Sequence, residues 1–135
     1  MAFSLQVRKY TANYRRRANA VFKQSVQDVA QHASVPVAQG GRMRVKTGFL
    51  RNSIRGAIGS LPSGPSQRGG VSNNNAVEDV TLVIAGAEIG DTVYVGWTAN
   101  YARPREYRDG FLASAAQKWP DFVDKNAARA RREIK

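Results

Sequence analysis

Apolar positions along this chain change period several times, and the changes lay out its elements. From Thr11 to Ala33, the residues Tyr14, Ala18, Val21, Phe22, Val26, Val29 and Ala33 recur at steps of three and four. Arg15, Arg16, Lys23, Gln27 and Gln31 fall elsewhere, so the segment predicts an amphipathic helix. Pro36 ends it, because the residue before a proline is pushed out of the helical region. Ahead of the helix, Phe3, Leu5 and Val7 alternate with Ser4 and Gln6 and predict a short edge strand. Alternation returns at Ile54, Gly56 and Ile58, at Val80, Leu82 and Ile84, and at Val93, Val95 and Trp97. Gly90-Asp91 between the last two runs is a turn signal, so 80–84 and 93–97 are predicted to form an antiparallel hairpin.

Beyond Gly110 the period becomes helical again, with Phe111, Leu112, Ala115, Ala116, Trp119, Phe122, Val123, Ala127, Ala130 and Ile134 on one stripe. Pro120 removes a backbone donor there. The helix is expected to kink, or to stop and restart with Pro120 in its first turn and Asp121 beside the positive end of the dipole. Between Asp91 and Ala116 a sheet face and a helix stripe must therefore close on one core, through a Tyr101-Ala102 corner and a polar link. The expected fold is α+β in a single domain spanning residues 1–135. An N-terminal amphipathic helix and a long C-terminal helix pack on a small, mainly antiparallel sheet.

Two segments carry no period. Residues 37–46 are basic and contain glycine, and Thr47 after them is placed to cap a short turn over 48–53. Residues 59–75 hold no acid, few apolar groups and repeated Gly, Pro, Ser and Asn, a composition that cannot bury enough surface to fold alone. This long stretch is predicted to be a flexible arm that orders against a partner.

Charge sharpens the picture. The chain has a net charge of +11, and residues 1–77 carry 12 Lys and Arg against the single acid Asp28, while residues 78–135 carry nine of each. The whole excess sits in the first part, which favours an acidic partner, an anionic surface or nucleic acid, against the alternative of a solubilising face. The triplet Arg15, Arg16 and Arg17 spans more than half a helical turn and reads better as a solvated face than as one ligand site. Arg42, Arg44, Lys46 and Arg68 lie in glycine-bearing segments and are the candidates for contact with DNA phosphates or, equally, with acidic neighbours.

Chemistry finds little support. The chain has no cysteine, which excludes disulfides, thiol nucleophiles and cysteine zinc sites. Its one histidine, His32, near the polar end of the first helix, is a poor candidate for a Ser-His-acid arrangement. Asp121 and Asp124 share a helix face but have no further metal ligands nearby in sequence and suit the helix dipole instead. Residues 40–47 end in Lys46-Thr47, yet Val45 stands where a phosphate loop requires glycine. No enzyme activity, cofactor or metal is expected. The short apolar patch before Arg8 and Lys9 has the wrong order for a secretory signal, and no apolar run approaches the roughly 20 residues of a membrane span. A soluble, intracellularly made protein without membrane contact is expected.

One set of residues extends this reading. Thr47-Gly48-Phe49-Leu50-Arg51-Asn52-Ser53-Ile54 is followed roughly forty residues later by Tyr94-Val95-Gly96-Trp97, Tyr101-Ala102 and Glu106, then Phe111-Leu112-Ala113-Ser114-Ala115. In order and spacing it resembles the head-to-tail joining, or tail-completion, proteins of tailed double-stranded DNA bacteriophages. The chain departs from that pattern in placing Arg103-Pro104-Arg105 before Glu106, and Gly110 before Phe111. The resemblance implies a structural virion protein, made in the host bacterial cytoplasm, that forms a homo-oligomeric ring of six-fold or twelve-fold symmetry in the phage neck. Its implied partners are the connector or head-closure proteins, the tail terminator or tail tube protein, and genomic DNA in the channel. Tyr101, Arg103, Arg105 and Tyr107 would then serve subunit contact, since aromatic and arginine side chains dominate interface energetics, unless Tyr101 packs the core instead. Arg51 and Arg55 would meet acids of an adjacent protomer such as Asp91 or Glu106. A tail terminator or minor tail protein of the same fold, and a free basic DNA-binding accessory protein, are the alternatives.

Overall fold

The computed structural model describes residues 2–64 and 75–134. The first helix, α1, runs over Ala2–Ala33. The expected strand at 3–7 is therefore corrected: those residues are the first turns of α1. No glycine or proline interrupts 2–33, so a helix nucleated anywhere in the segment propagates through it. After α1, residues 35–43 fold into a tight loop. A parallel bridge pairs Pro36 with Met43, Val37 N donates to Met43 O at 3.0 Å, and a 3-10 turn spans Val37–Gln39. The loop seats Met43 fully inside the molecule.

A single helical turn, α2 (Phe49–Asn52), leads into β1 (Ile54–Ile58). Gly48 is the N-cap of that turn, and Thr47, expected as the cap, stands one residue ahead of it with its Oγ1 accepting from Phe49 N at 3.3 Å. Strand β1 pairs antiparallel with β2 (Val93–Trp97) in the register Ile54 to Trp97, Gly56 to Val95 and Ile58 to Val93. The sheet is antiparallel and small, as the alternation predicts, but its partners differ. Residues 80–84 are not a strand and form no hairpin with 93–97; they belong to α3 (Ala76–Ala85). Ala76, Val80, Ile84 and Ala87 repeat at steps of four, four and three, and all are buried, whereas Leu82 is 72% exposed. A strand would have buried Leu82 beside Val80 and Ile84. Glu78 and Asp79 in the first turn suit the positive end of that helix.

The polar link after Tyr101-Ala102 is also helical, as α4 (Ala102–Asp109), followed by α5 (Phe111–Ala116) and α6 (Trp119–Glu133). The chain stops and restarts around Pro120, which lies in the first turn of α6 with Asp121 beside it. Gly110, at φ 64, turns the chain between α4 and α5 in a conformation that L side chains rarely adopt. There Glu106 reaches forward to the start of α5, its Oε1 accepting from Leu112 N at 2.7 Å and its Oε2 from Ala113 N at 3.2 Å. Replacing Glu106 by Ala leaves those amides without this partner and is expected to lower the unfolding free energy by about 1–2 kcal/mol. Urea denaturation reads it, and an unchanged midpoint would deny the cap.

Helices and sheet share a core of two clusters. Ala33, Met43, Phe49, Leu50, Ala99, Phe111 and Ala115 form one, and Ala30, Ile54, Ala76, Val80 and Ile84 the other. Trp97 packs against both, edge-on to Phe111 at 5.1 Å. Helix α6 lies antiparallel along the middle and C-terminal part of α1, joined by Asn126 Nδ2 donating to Ser25 Oγ at 3.1 Å and Asp28 Oδ2 at 2.9 Å. Asp28, the sole acid of the first 77 residues, is thus used inside the fold, where Gln24 and Lys125 also reach it. The expected flexible arm at 59–75 falls mostly on residues outside the described ones, and Arg68 with it. No helix among the described residues is long and apolar enough to cross a membrane.

Candidate docking cleft

The loop after α1, the turn at α2 and the start of α4 meet around one open cleft of about 560 Å³. Pro36, Val37 and Ala38, the stretch from Arg44 to Gly48, and Leu50, Arg51, Tyr101 and Arg105 line it. Residues 36–51 and the start of α4, some fifty positions later, are held together through Met43, Phe49 and Leu50, buried in one cluster against which Tyr101 and Ala102 pack. Phe49 also lies 6.2 Å from the Tyr101 ring, so the phenol both packs on the core and lines the cleft.

Its electrostatics are one-sided. Arg44, Lys46, Arg51 and Arg105 all face the cleft, and among the described residues no acid does. Arg105 is neutralised from behind by Asp109, through Nε to Oδ2 at 2.9 Å and Nη2 to Oδ1 at 2.7 Å. That bidentate geometry fixes the side chain along α4. None of the ion pairs among the described residues involves Arg44, Lys46 or Arg51, and all three are exposed. They cost little desolvation as they stand and are available to a ligand carrying negative charge. Val37 and Val45 are exposed on the same cleft and add apolar surface.

Of the residues expected to contact DNA or an acidic partner, Arg44 and Lys46 are in the cleft. Arg42 is turned towards Gly110, where an added Cβ would lie 4.0 Å from its Nη1. Of the expected interface residues, Arg51, Tyr101 and Arg105 join the cleft, which sequence spacing alone did not bring together with 44–46. Arg103 and Tyr107 stand on the exposed side of α4, Tyr107 at 93% exposure. Arg55 is half-buried and donates from Nη1 to Asn52 O and Ile54 O, both at 2.7 Å, so it braces the β1 entry. Both acids expected to receive arginines are engaged within the chain: Glu106 caps α5, and Asp91 Oδ2 accepts from Glu88 N at 2.8 Å. His32 lies edge-on to Phe122 at 6.0 Å, between α1 and α6. The sequence reading missed Val37, Val45 and the Asp109 partner of Arg105; only the i, i+4 spacing of the last was visible beforehand.

The cleft depends on a close backbone approach. A Cβ on Gly41 would fall on the Val35 carbonyl oxygen and within 2.7 Å of Val35 Cβ, while Gly41 N donates to Pro36 O at 2.9 Å. Gly41→Ala must therefore push the 35–43 loop open, and is expected to lower stability by about 1–3 kcal/mol. Equilibrium unfolding of the variant measures this, and an unaltered curve would contradict the packing described.

Comparison with known proteins decides nothing further. No protein-family model, curated protein or solved structure matches this chain.

Proposed function

We propose that the chain is a structural virion component of a tailed bacteriophage, copies of which form a ring in the neck that joins the connector of the filled head to the tail. The observation that carries this reading is the convergence of the blocks that bear the resemblance. Thr47, Gly48, Leu50 and Arg51 share a cleft with Tyr101, Trp97 packs on Phe111, and Glu106 caps the Phe111-Leu112 helix. Residues about fifty positions apart in sequence thus line a single surface.

In this reading the folded body provides a fixed shape, and the cleft takes an acidic segment of a neighbouring virion protein. Arg44, Lys46 and Arg51 supply the charge, while Val37 and Val45 supply apolar contact that a phosphate backbone would not use. The protein performs no reaction; it positions larger assemblies. Deleting its gene from the phage and imaging the lysate by electron microscopy tests this. DNA-filled heads and finished tails that remain separate are expected, and normal virions would end the proposal.

A second reading rests on the same three uncompensated cations. A free accessory protein would use them on duplex phosphates and bind DNA by itself with a steep dependence on salt. The neck protein is expected to retain DNA poorly when alone, and filter binding at two salt concentrations separates the two.

A further inference from the structure

Basic residues of the first part of the chain divide into two groups. Arg17 Nε donates to Ile134 O at 2.6 Å and Lys23 Nζ to Ala85 O at 2.9 Å, so these two serve the C-terminal ends of α6 and α3. Arg8, Lys9, Arg15 and Arg16 are exposed and enter none of the ion pairs among the described residues. They lie on the N-terminal half of α1, beyond the point where α6 ends against Arg17. Tyr10 and Tyr14 on this half are 72% and 66% exposed. At 1.5 Å per residue, the 15 or so residues before Arg17 extend roughly 22 Å as a helix. A helix of that length gains little stability in water without a surface to pack on.

The opposite surface is on α3. Residues 75–92 contain four acids, Glu78, Asp79, Glu88 and Asp91, and no Lys or Arg. Glu78 and Asp79 stand four and three residues before Leu82, hence on the same exposed face of α3, one turn ahead of it. The projecting half of α1 offers the complement: an open hollow of about 510 Å³ lined by Arg8, Thr11, Ala12, Arg15, Arg16 and Asn19, the last of which accepts at Oδ1 from Ile89 N at 2.6 Å where the helix meets the body.

We infer that the N-terminal half of α1 in one copy docks on the outer face of α3 in the next, with Leu82 entering the hollow over Ala12 and Arg8, Arg15 and Arg16 meeting Glu78 and Asp79. The two surfaces of a single copy cannot meet. Helix α1 continues unbroken into the body, and α3 packs its buried face inward with the acidic face outward. Contact is therefore head to tail between copies, an arrangement that closes into a ring where the rotation permits. Charge complementarity selects a sister copy. Two α1 halves would repel each other, and so would two α3 faces.

The inference deepens the ring in the proposed function but does not depend on the neck. Association through some other surface would remove it and leave the neck reading standing, whereas normal virions from the deletion phage would do the reverse.

A charge swap tests it on the full chain. One variant carries Arg8→Glu, Arg15→Glu and Arg16→Glu, and the other Glu78→Lys and Asp79→Lys. A third, Leu82→Asp, changes a side chain that is already exposed, and circular dichroism verifies that each variant is folded. Self-association is followed by sedimentation velocity at low salt. The wild type is expected to associate, and each variant alone to do so on the order of 100-fold more weakly. An equimolar mixture of the two charge variants is expected to recover association, because each arm then meets a face of opposite sign. A monomeric wild type, a variant that associates normally, or a mixture that fails to recover overturns the inference. So does an arm reversal that abolishes retention of duplex DNA without altering self-association, which would assign the arm to nucleic acid.

Discussion

Phe111→Ala is expected to cost about 3–5 kcal/mol of unfolding free energy, the largest stability loss of any single truncation considered. Phe111 is 2% exposed and lies where α1, the 35–43 loop, α2 and the end of β2 meet. It shares a cluster with Ala33 from α1, Met43 from the loop, Phe49 and Leu50 from α2, and Ala99 after β2, and it meets Trp97 edge-on. Its neighbours Ala33, Ala99 and Ala115 are too short to fill the vacated volume, so a cavity adds to the lost transfer energy. Against the 5–15 kcal/mol by which a domain of this kind is stable, such a loss leaves a substantial unfolded fraction under mild denaturant. Urea unfolding at equilibrium measures it. A loss below about 1 kcal/mol would mean that the helix pair and the sheet do not share this core.

The second large effect is functional and leaves the fold alone. Reversing Arg44, Lys46 and Arg51 together, each to Glu, replaces the free cations of the cleft by anions. All three side chains are exposed and outside the ion pairs of the described residues, so stability is expected to change by no more than about 0.5 kcal/mol per site. In the proposed neck function, joining of heads to tails is expected to fall on the order of 100-fold or more, because like charges across a docking surface cost several kcal/mol. Arg105→Ala gives a contrasting result. Its charge is already spent on Asp109, so joining is expected to suffer less than from the triple reversal.

Long periodic segments announced themselves in the sequence, and short ones did not. The stripe from Tyr14 to Ala33 and that from Phe111 to Ile134 became α1 and the α5–α6 pair. The α+β class and the β1 and β2 segments were likewise visible in alternation. Residues 80–84 mislead because their four apolar residues fit both periods; the deciding feature is Ala76 and Ala87, which extend the three- and four-residue steps at either end. Phe3, Leu5 and Val7 mislead because a three-member alternation is a weaker signal than the lack of any helix breaker from 2 to 33. For the cleft, charge and residue type single out Arg44, Lys46, Arg51, Tyr101 and Arg105 in the sequence. Their meeting was not legible, since it depends on how the 35–43 loop folds back and on Phe49 resting against Tyr101. Pairing within the chain was equally hidden. Glu106 and Arg55 looked available for a neighbour and are engaged at home.

The most direct test of the account is reconstitution. Separate filled heads and tails from the deletion phage are mixed with purified protein, and joined particles are counted by electron microscopy. Wild-type chain is expected to join them, and the folded triple variant Arg44→Glu, Lys46→Glu, Arg51→Glu to leave them apart. Joining by the variant at the wild-type level, or none by the folded wild type, would contradict it.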